Sequence, residues 1–222
     1  MKKFFTAMAT AVAFVASPAI ADPETKGAHT LDAKGCMMLL ECTDGVTRVN
    51  SAADVAAMHP EENWSKVSAE LNEIIAHLDT IGIPTYVGDE YYFARNERAL
   101  YDTASNRMFI SERAASKPWS FMSSFRHEGW HAAQDCMAGG VNNRFIGVIY
   151  GSEGTPAMWT AMAERLYPSG IVEWEAEAKW AGGEVNMTRD ALCACAETGQ
   201  KPWTVMEPTP MTREWLSDNG HL

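Results

Sequence analysis

SSFRHEGWHAAQD, residues 123–135, carries two histidines four positions apart, with a glutamate directly after the first. A helix turns about 100° and rises about 1.5 Å per residue, so His127 and His131 point about 40° apart and lie about 6 Å apart along the axis. Two imidazoles so placed converge on one ion at about 2.0–2.1 Å from each nitrogen. Glu128 falls about 100° from His127 and about 60° from His131. It flanks the ion without having to bind it, in position to take a proton from a water held there. The segment reads as helix on other grounds too. Ser116 and Pro118 suit a start, and Gly139-Gly140 suit a stop just past Met137. Gly129 costs about 1 kcal/mol against alanine inside a helix. It faces away from the histidines, which predicts another backbone passing close behind the site, with Met122, Phe125, Ala132 and Cys136 filling the rest of that buried side.

A zinc site with two histidines needs a third protein ligand and an open position. GIVEWEAEAKWAGG, residues 170–183, supplies carboxylates on a second predicted helix. Glu173 and Glu177 share one face, so Glu173 could bind with Glu177 orienting a histidine. Glu175 shares a face with Ile171, Ala178 and Gly182, which can pack tightly against the first helix. A solvated acidic face is the plain alternative for all three.

RHEGWHAAQ followed by WEAEAKWA resembles the gluzincin-type zinc metallopeptidases in their small single-domain form, over about residues 99–182. The resemblance implies a zincin-like fold, with RMFIS (107–111) in the place of the substrate-binding edge strand. It implies that His127, His131 and a downstream glutamate bind Zn2+ and that Glu128 is the general base. The family pattern fits better with Glu175 leading, so Glu175 is favoured over Glu173. Lys179 then stands where such proteins often have an acid, a departure at the position that would steady a histidine.

Outward from these helices, Trp64, Val67, Leu71, Ile74, Ile75 and Leu78 recur at helical spacing until Gly82 and Pro84, and read as core. Ser51 can cap a short helix running through Met58. MLLECTDGVTRV (38–49) reads as a hairpin around Asp44-Gly45. Residues 83–111 are rich in aromatic and β-branched residues and predict two to four strands, with ALYD and RMFIS joined as a hairpin through TASN. Further helices are expected at about 155–166, 171–181 and 188–197, and an extended tail from Gly199. The order predicts an α+β fold, mostly helical with a small antiparallel or mixed sheet beside the histidine helix.

The chain opens MKKFFTAMATAVAFVASPAIADPET, with a basic start, an apolar run and small residues before Asp22. This is the pattern of a cleaved secretory signal over 1–21, leaving residues 22–222 as one domain in the periplasm or outside the cell. The apolar run is shorter than the roughly 20 residues that span a bilayer, and Asp22 rather than a cysteine follows, so no membrane anchor is expected. Formal net charge is −11, and −13 once Lys2 and Lys3 are removed. That balance argues against nucleic acid and anionic membranes as partners.

Export makes disulfides the expectation for the five cysteines. Six residues rise about 9 Å in a helix and span about 20 Å in a strand. Bridged Cα atoms lie within about 7 Å. Either CMMLLEC (36–42) is therefore irregular, or Cys36 and Cys42 pair elsewhere. Cys193 and Cys195 do not suit each other, and one of them is expected to reach Cys136. Buried free thiols are the alternative.

Tyr150, Tyr167 and His221 have the chemistry to steady an oxyanion. Gln134 or Asp135 could hold a histidine ring. Trp119, Trp130, Trp174 and Trp180 flank the two helices and could wall a cleft. His29, His59 and His77 have no spacing that links them to the site. The function expected is hydrolysis of amide bonds in protein, peptide or cell-wall peptide. A non-catalytic periplasmic zinc-binding protein with the same ligands, and a helical interaction module with a chance motif, are the competing expectations.

Overall fold

Four short strands pair in the order β1-β2-β4-β3. They are β1 (Val46–Val49), β2 (Thr85–Gly88), β3 (Ala99–Asp102) and β4 (Arg107–Ser111). β1 and β2 are antiparallel, β2 and β4 parallel, and β3 and β4 antiparallel, with Ala99 opposite Ile110 and Asp102 opposite Arg107. The computed structural model describes residues 30–142 and 146–197. The expected signal segment, His29, the tail from Gly199 and His221 lie outside the described residues.

Side chains alternate across the sheet with the period of two that the pleat imposes. Val87, Met108 and Ile110 enter the main core, while Tyr86, Leu100 and Phe109 join a smaller cluster on the other face. The smaller cluster is closed by α1 (Leu31–Met38), through Ala33 and Met37. The main core is built with α2 (Ala52–Met58), α3 (Ser68–Thr80), α5 (Pro118–Met137) and α9 (Met187–Glu197). A short α4 (Glu112–Ala115) joins β4 to α5. The chain then passes through α6 (Gly151–Gly154), α7 (Ala157–Leu166) and α8 (Val172–Gly183). The α+β expectation is borne out, with a mixed sheet. So are the Ser51 cap, the 99–111 hairpin and the four later helices, each within two residues of its expected ends.

Three readings are corrected. MLLECTDGVTRV is not a hairpin. Its first residues end α1, the chain reverses at Leu40 (φ +57°), and only Val46–Val49 is strand, paired with β2 across two intervening helices. That reversal puts the Cα atoms of Cys36 and Cys42 5.1 Å apart, and they are bridged. Cys136 pairs with Cys195 and ties α5 to α9, leaving Cys193 free. Second, RMFIS is not an edge strand. β4 lies between β2 and β3, and ALYD forms the edge. Third, the group behind Gly129 is a side chain. A Cβ there would stand 2.7 Å from Thr188 Cγ2 and 3.5 Å from Leu192 Cδ1 of α9. The close backbone approach falls instead at Gly182, where a Cβ would lie 2.9 Å from the Ser123 carbonyl oxygen.

Candidate metal centre

Because Gly182 lets α8 lie against α5, Glu175 of α8 reaches both histidines of α5. Its Oε2 is 3.3 Å from His127 Nε2 and its Oε1 is 3.7 Å from His131 Nε2. The two rings stand nearly perpendicular, with centroids 4.9 Å apart. These three residues form a cluster able to hold a metal ion, with one donor atom from each and all three atoms within 4.8 Å of one another. Glu175 Oε2 is buried with no hydrogen-bond partner. A carboxylate oxygen left in that state is costly unless a cation completes it.

His131 is held in the form a cation needs. Gln134 donates its amide nitrogen to Glu177 Oε2 at 2.8 Å and to the Trp174 carbonyl at 3.2 Å. Its Oε1 therefore faces His131 Nδ1, 2.8 Å away, and accepts the Nδ1 proton. His131 Nε2 is left with its lone pair toward Glu175. Burial, with the His127 charge beside it, pushes the His131 pKa down, which favours the neutral ring. Burial would raise the Glu175 pKa, but the two histidines and the Tyr167 hydroxyl around the carboxylate together hold it low.

Glu128 faces the same space. Its Oε2 accepts the backbone N–H of Tyr101 at 2.8 Å. Burial raises its pKa to about 7, against the opposing pull of His131. Tyr101 is fixed at its other end, where its hydroxyl donates to Asp135 Oδ2 at 2.7 Å. Asp135 thus holds a tyrosine and not a histidine ring. Glu177 takes no part in the cluster. It is fully buried and accepts backbone N–H groups from Ile149, Tyr150 and Gly151, besides the side chains of Gln134 and Trp130. The 149–151 turn is thereby tied to α8.

The cluster opens into a cleft of about 900 Å³ between β3, α5, α7 and α8. Trp159, Met162, Tyr167, Trp174 and Lys179 line one side and residues 96–101 the other. Of the expected tryptophans only Trp174 lines this cleft. Trp130 is fully buried, Trp180 packs on Tyr150 and Trp119 is exposed on the surface. Trp159 was missed, although its position on an amphipathic helix just before the glutamate helix was a usable signal. Glu173 stands outside both the cluster and the cleft lining. Of the three oxyanion candidates, Tyr167 faces the cleft and bonds Glu175, Tyr150 stacks on Trp130, and His221 lies outside the described residues. No family model, curated protein or solved structure matches the chain.

Proposed function

We propose that the protein is an exported zinc-dependent metallopeptidase of the gluzincin type. The observation that carries this is the unpartnered Glu175 oxygen set beside His127 and the Gln134-oriented His131, with Glu128 next to them in an open cleft. Two imidazole nitrogens and one carboxylate oxygen are the donor set of catalytic zinc. Ligand atoms around a tetrahedral ion with bonds of about 2.0–2.1 Å stand about 3.3–3.4 Å from one another. Each Glu175 oxygen lies near one ring, Oε2 3.3 Å from His127 Nε2 and Oε1 3.7 Å from His131 Nε2, and one donor atom from each residue falls within 4.8 Å of the others, a set that would draw in around the ion. His127, His131 and Glu175 would hold the ion. When bound, zinc polarises a carbonyl and brings the pKa of a water toward about 7.

Glu128 takes a proton from the water that attacks the amide carbonyl and delivers it to the nitrogen as the C–N bond breaks. The Tyr101 N–H holds the Glu128 carboxylate toward the reacting atoms. Tyr167 offers its hydroxyl to the oxygen on which negative charge develops. That Tyr101 N–H points away from β4, and by the alternation of an antiparallel ladder Ala99 presents its N–H and C=O on the same open side. With the Tyr101 N–H given to Glu128, an extended peptide can pair with the Ala99 groups. Two disulfides among the described residues are compatible with an extracellular or periplasmic setting, and none of the described helices is long and apolar enough to cross a membrane.

Metal analysis and a peptide-library screen test the proposal, on the wild type and on Glu128→Gln. About one zinc per chain is expected in both, with cleavage by the wild type and a loss of at least about a hundredfold in the variant. Zinc retained by both with no cleavage by either would leave a non-catalytic zinc-binding protein. No zinc in either would remove the metal reading altogether.

A further inference from the structure

We propose that the end of the cleft beyond His127 is an anion subsite, in which Lys179 receives a carboxylate that the substrate carries on the leaving-group side of the scissile bond. This rests on the peptidase reading of the metal centre and adds a substrate class to it.

Lys179 lies one helical turn beyond Glu175 and lines the same cleft. Its Nζ stands 5.1 Å from the centre of the Tyr167 ring, and the Tyr167 hydroxyl bonds Glu175. The ammonium is thus set beside the metal cluster by a chain of contacts rather than trailing into solvent. The carboxylates of the cleft are engaged. Glu97 pairs with Lys34, and Glu128 and Glu175 face the histidines. Arg98 reaches only Ser120 Oγ, at 2.9 Å. Among the described residues neither Arg98 nor Lys179 has a carboxylate partner, in a chain whose formal net charge is −11. Ser123 and Ser124 add hydroxyls at this end.

The direction of a bound chain follows from β3. Arg98 meets Ser120 and the Tyr101 N–H meets Glu128, so β3 runs parallel to α5. Gly182 packs on Ser123, and Glu175 on His127 and His131, so α8 runs antiparallel to α5. A peptide paired antiparallel to β3, the stronger of the two pairings, enters at the Tyr101 end and leaves at the Arg98 end. With its scissile carbonyl at the metal cluster, its C-terminal portion passes Lys179. A free C-terminus and an acidic side chain both supply the carboxylate.

Calorimetry on the zinc-loaded protein separates the possibilities, using short peptides in free-acid and C-terminally amidated forms, and amidated peptides with Glu or Gln at the first leaving-side residue. At least about tenfold tighter binding is expected for the carboxylate member of one pair, as one charge-assisted hydrogen bond supplies. The pair that discriminates tells terminus from side chain. Lys179→Met should bring that ratio to near one by weakening the carboxylate peptide alone, and Lys179→Arg should keep most of it. Where turnover is measured, the loss in Lys179→Met should fall on KM. Equal binding of both members by the wild type, or equal weakening of both in Lys179→Met, would overturn the subsite. Cleavage without a carboxylate preference would keep the peptidase and remove the subsite. A carboxylate preference without cleavage would do the reverse.

Discussion

Asp135 shows how much one buried atom can cost. Its Oδ2 accepts from Tyr101, but its Oδ1 is buried with no partner. Burial raises its pKa to about 7, and the Tyr101 hydrogen bond only partly opposes this. The unfolded value is about 3.9. The folded state therefore binds more protons than the unfolded one between about pH 4 and pH 7, and this residue's contribution to stability falls as pH rises through that window. Asparagine keeps an acceptor for Tyr101 and cannot ionise. Asp135→Asn should match the wild type near pH 4 and exceed it above pH 7, by up to roughly 2–4 kcal/mol. Urea unfolding at a series of pH values reads the difference, and parallel curves would refute the assignment. Gly129 offers a second test. Alanine there gains about 1 kcal/mol of helix propensity, but its Cβ meets the methyl of Thr188, whose hydroxyl is committed to the Arg126 carbonyl at 2.8 Å. Overpacking of this kind costs about 1–3 kcal/mol. Gly129→Ala should be destabilised, and adding Thr188→Ser, which removes only the methyl, should recover the loss. The sequence marked Gly129 as costly but could not name what crowds it, because Thr188 lies 59 positions away and nothing in its neighbourhood points back to α5.

At the scale of elements, the two site helices are joined by Gln134 and Glu177. Gln134 positions His131 and is itself oriented by Glu177 of α8. Partners of this kind shift metal affinity by about 10–100-fold. Gln134→Ala should weaken zinc by about that factor in a chelator competition, while a role confined to packing would lower stability and leave affinity alone. The helices were legible in the sequence because both carry local signals, a proline start and glycine stop for α5 and a run of helix formers for α8. Their contact was half legible: Ala178 and Gly182 on the face of Glu175 marked the close side. The sheet was less so. Strand order depends on pairing between distant segments, and RMFIS, more apolar than ALYD, takes the interior place that apolar strands favour. α1 was hidden because its apolar residues precede a turn dipeptide, and a run ending in Asp-Gly reads as a hairpin arm until its partner strand is known.

For the whole molecule, a cation held by His127, His131 and Glu175 is a cross-link between α5 and α8, two of the helices that close the cleft. A ligand that binds only the folded state stabilises it by about 4 kcal/mol at a thousandfold excess over Kd. For a chain of 150–250 residues each kcal/mol moves Tm by about 2–4 °C. Adding zinc to chelator-treated protein, with both disulfides kept oxidised, should therefore raise Tm by about 10 °C or more. His131→Ala should abolish the rise. Glu175→Ala should abolish it too, yet leave the metal-free protein within about 1 kcal/mol of the wild type, because the carboxylate it removes has a buried oxygen with no partner. The disulfide between Cys136 and Cys195 ties α5 to α9 on the far side of the same helix. α5 would then be fastened on one side by a covalent bond and on the other by the metal. Calorimetric scans with and without zinc decide the point. A zinc-dependent shift that survives in both variants would mean that the ion binds elsewhere.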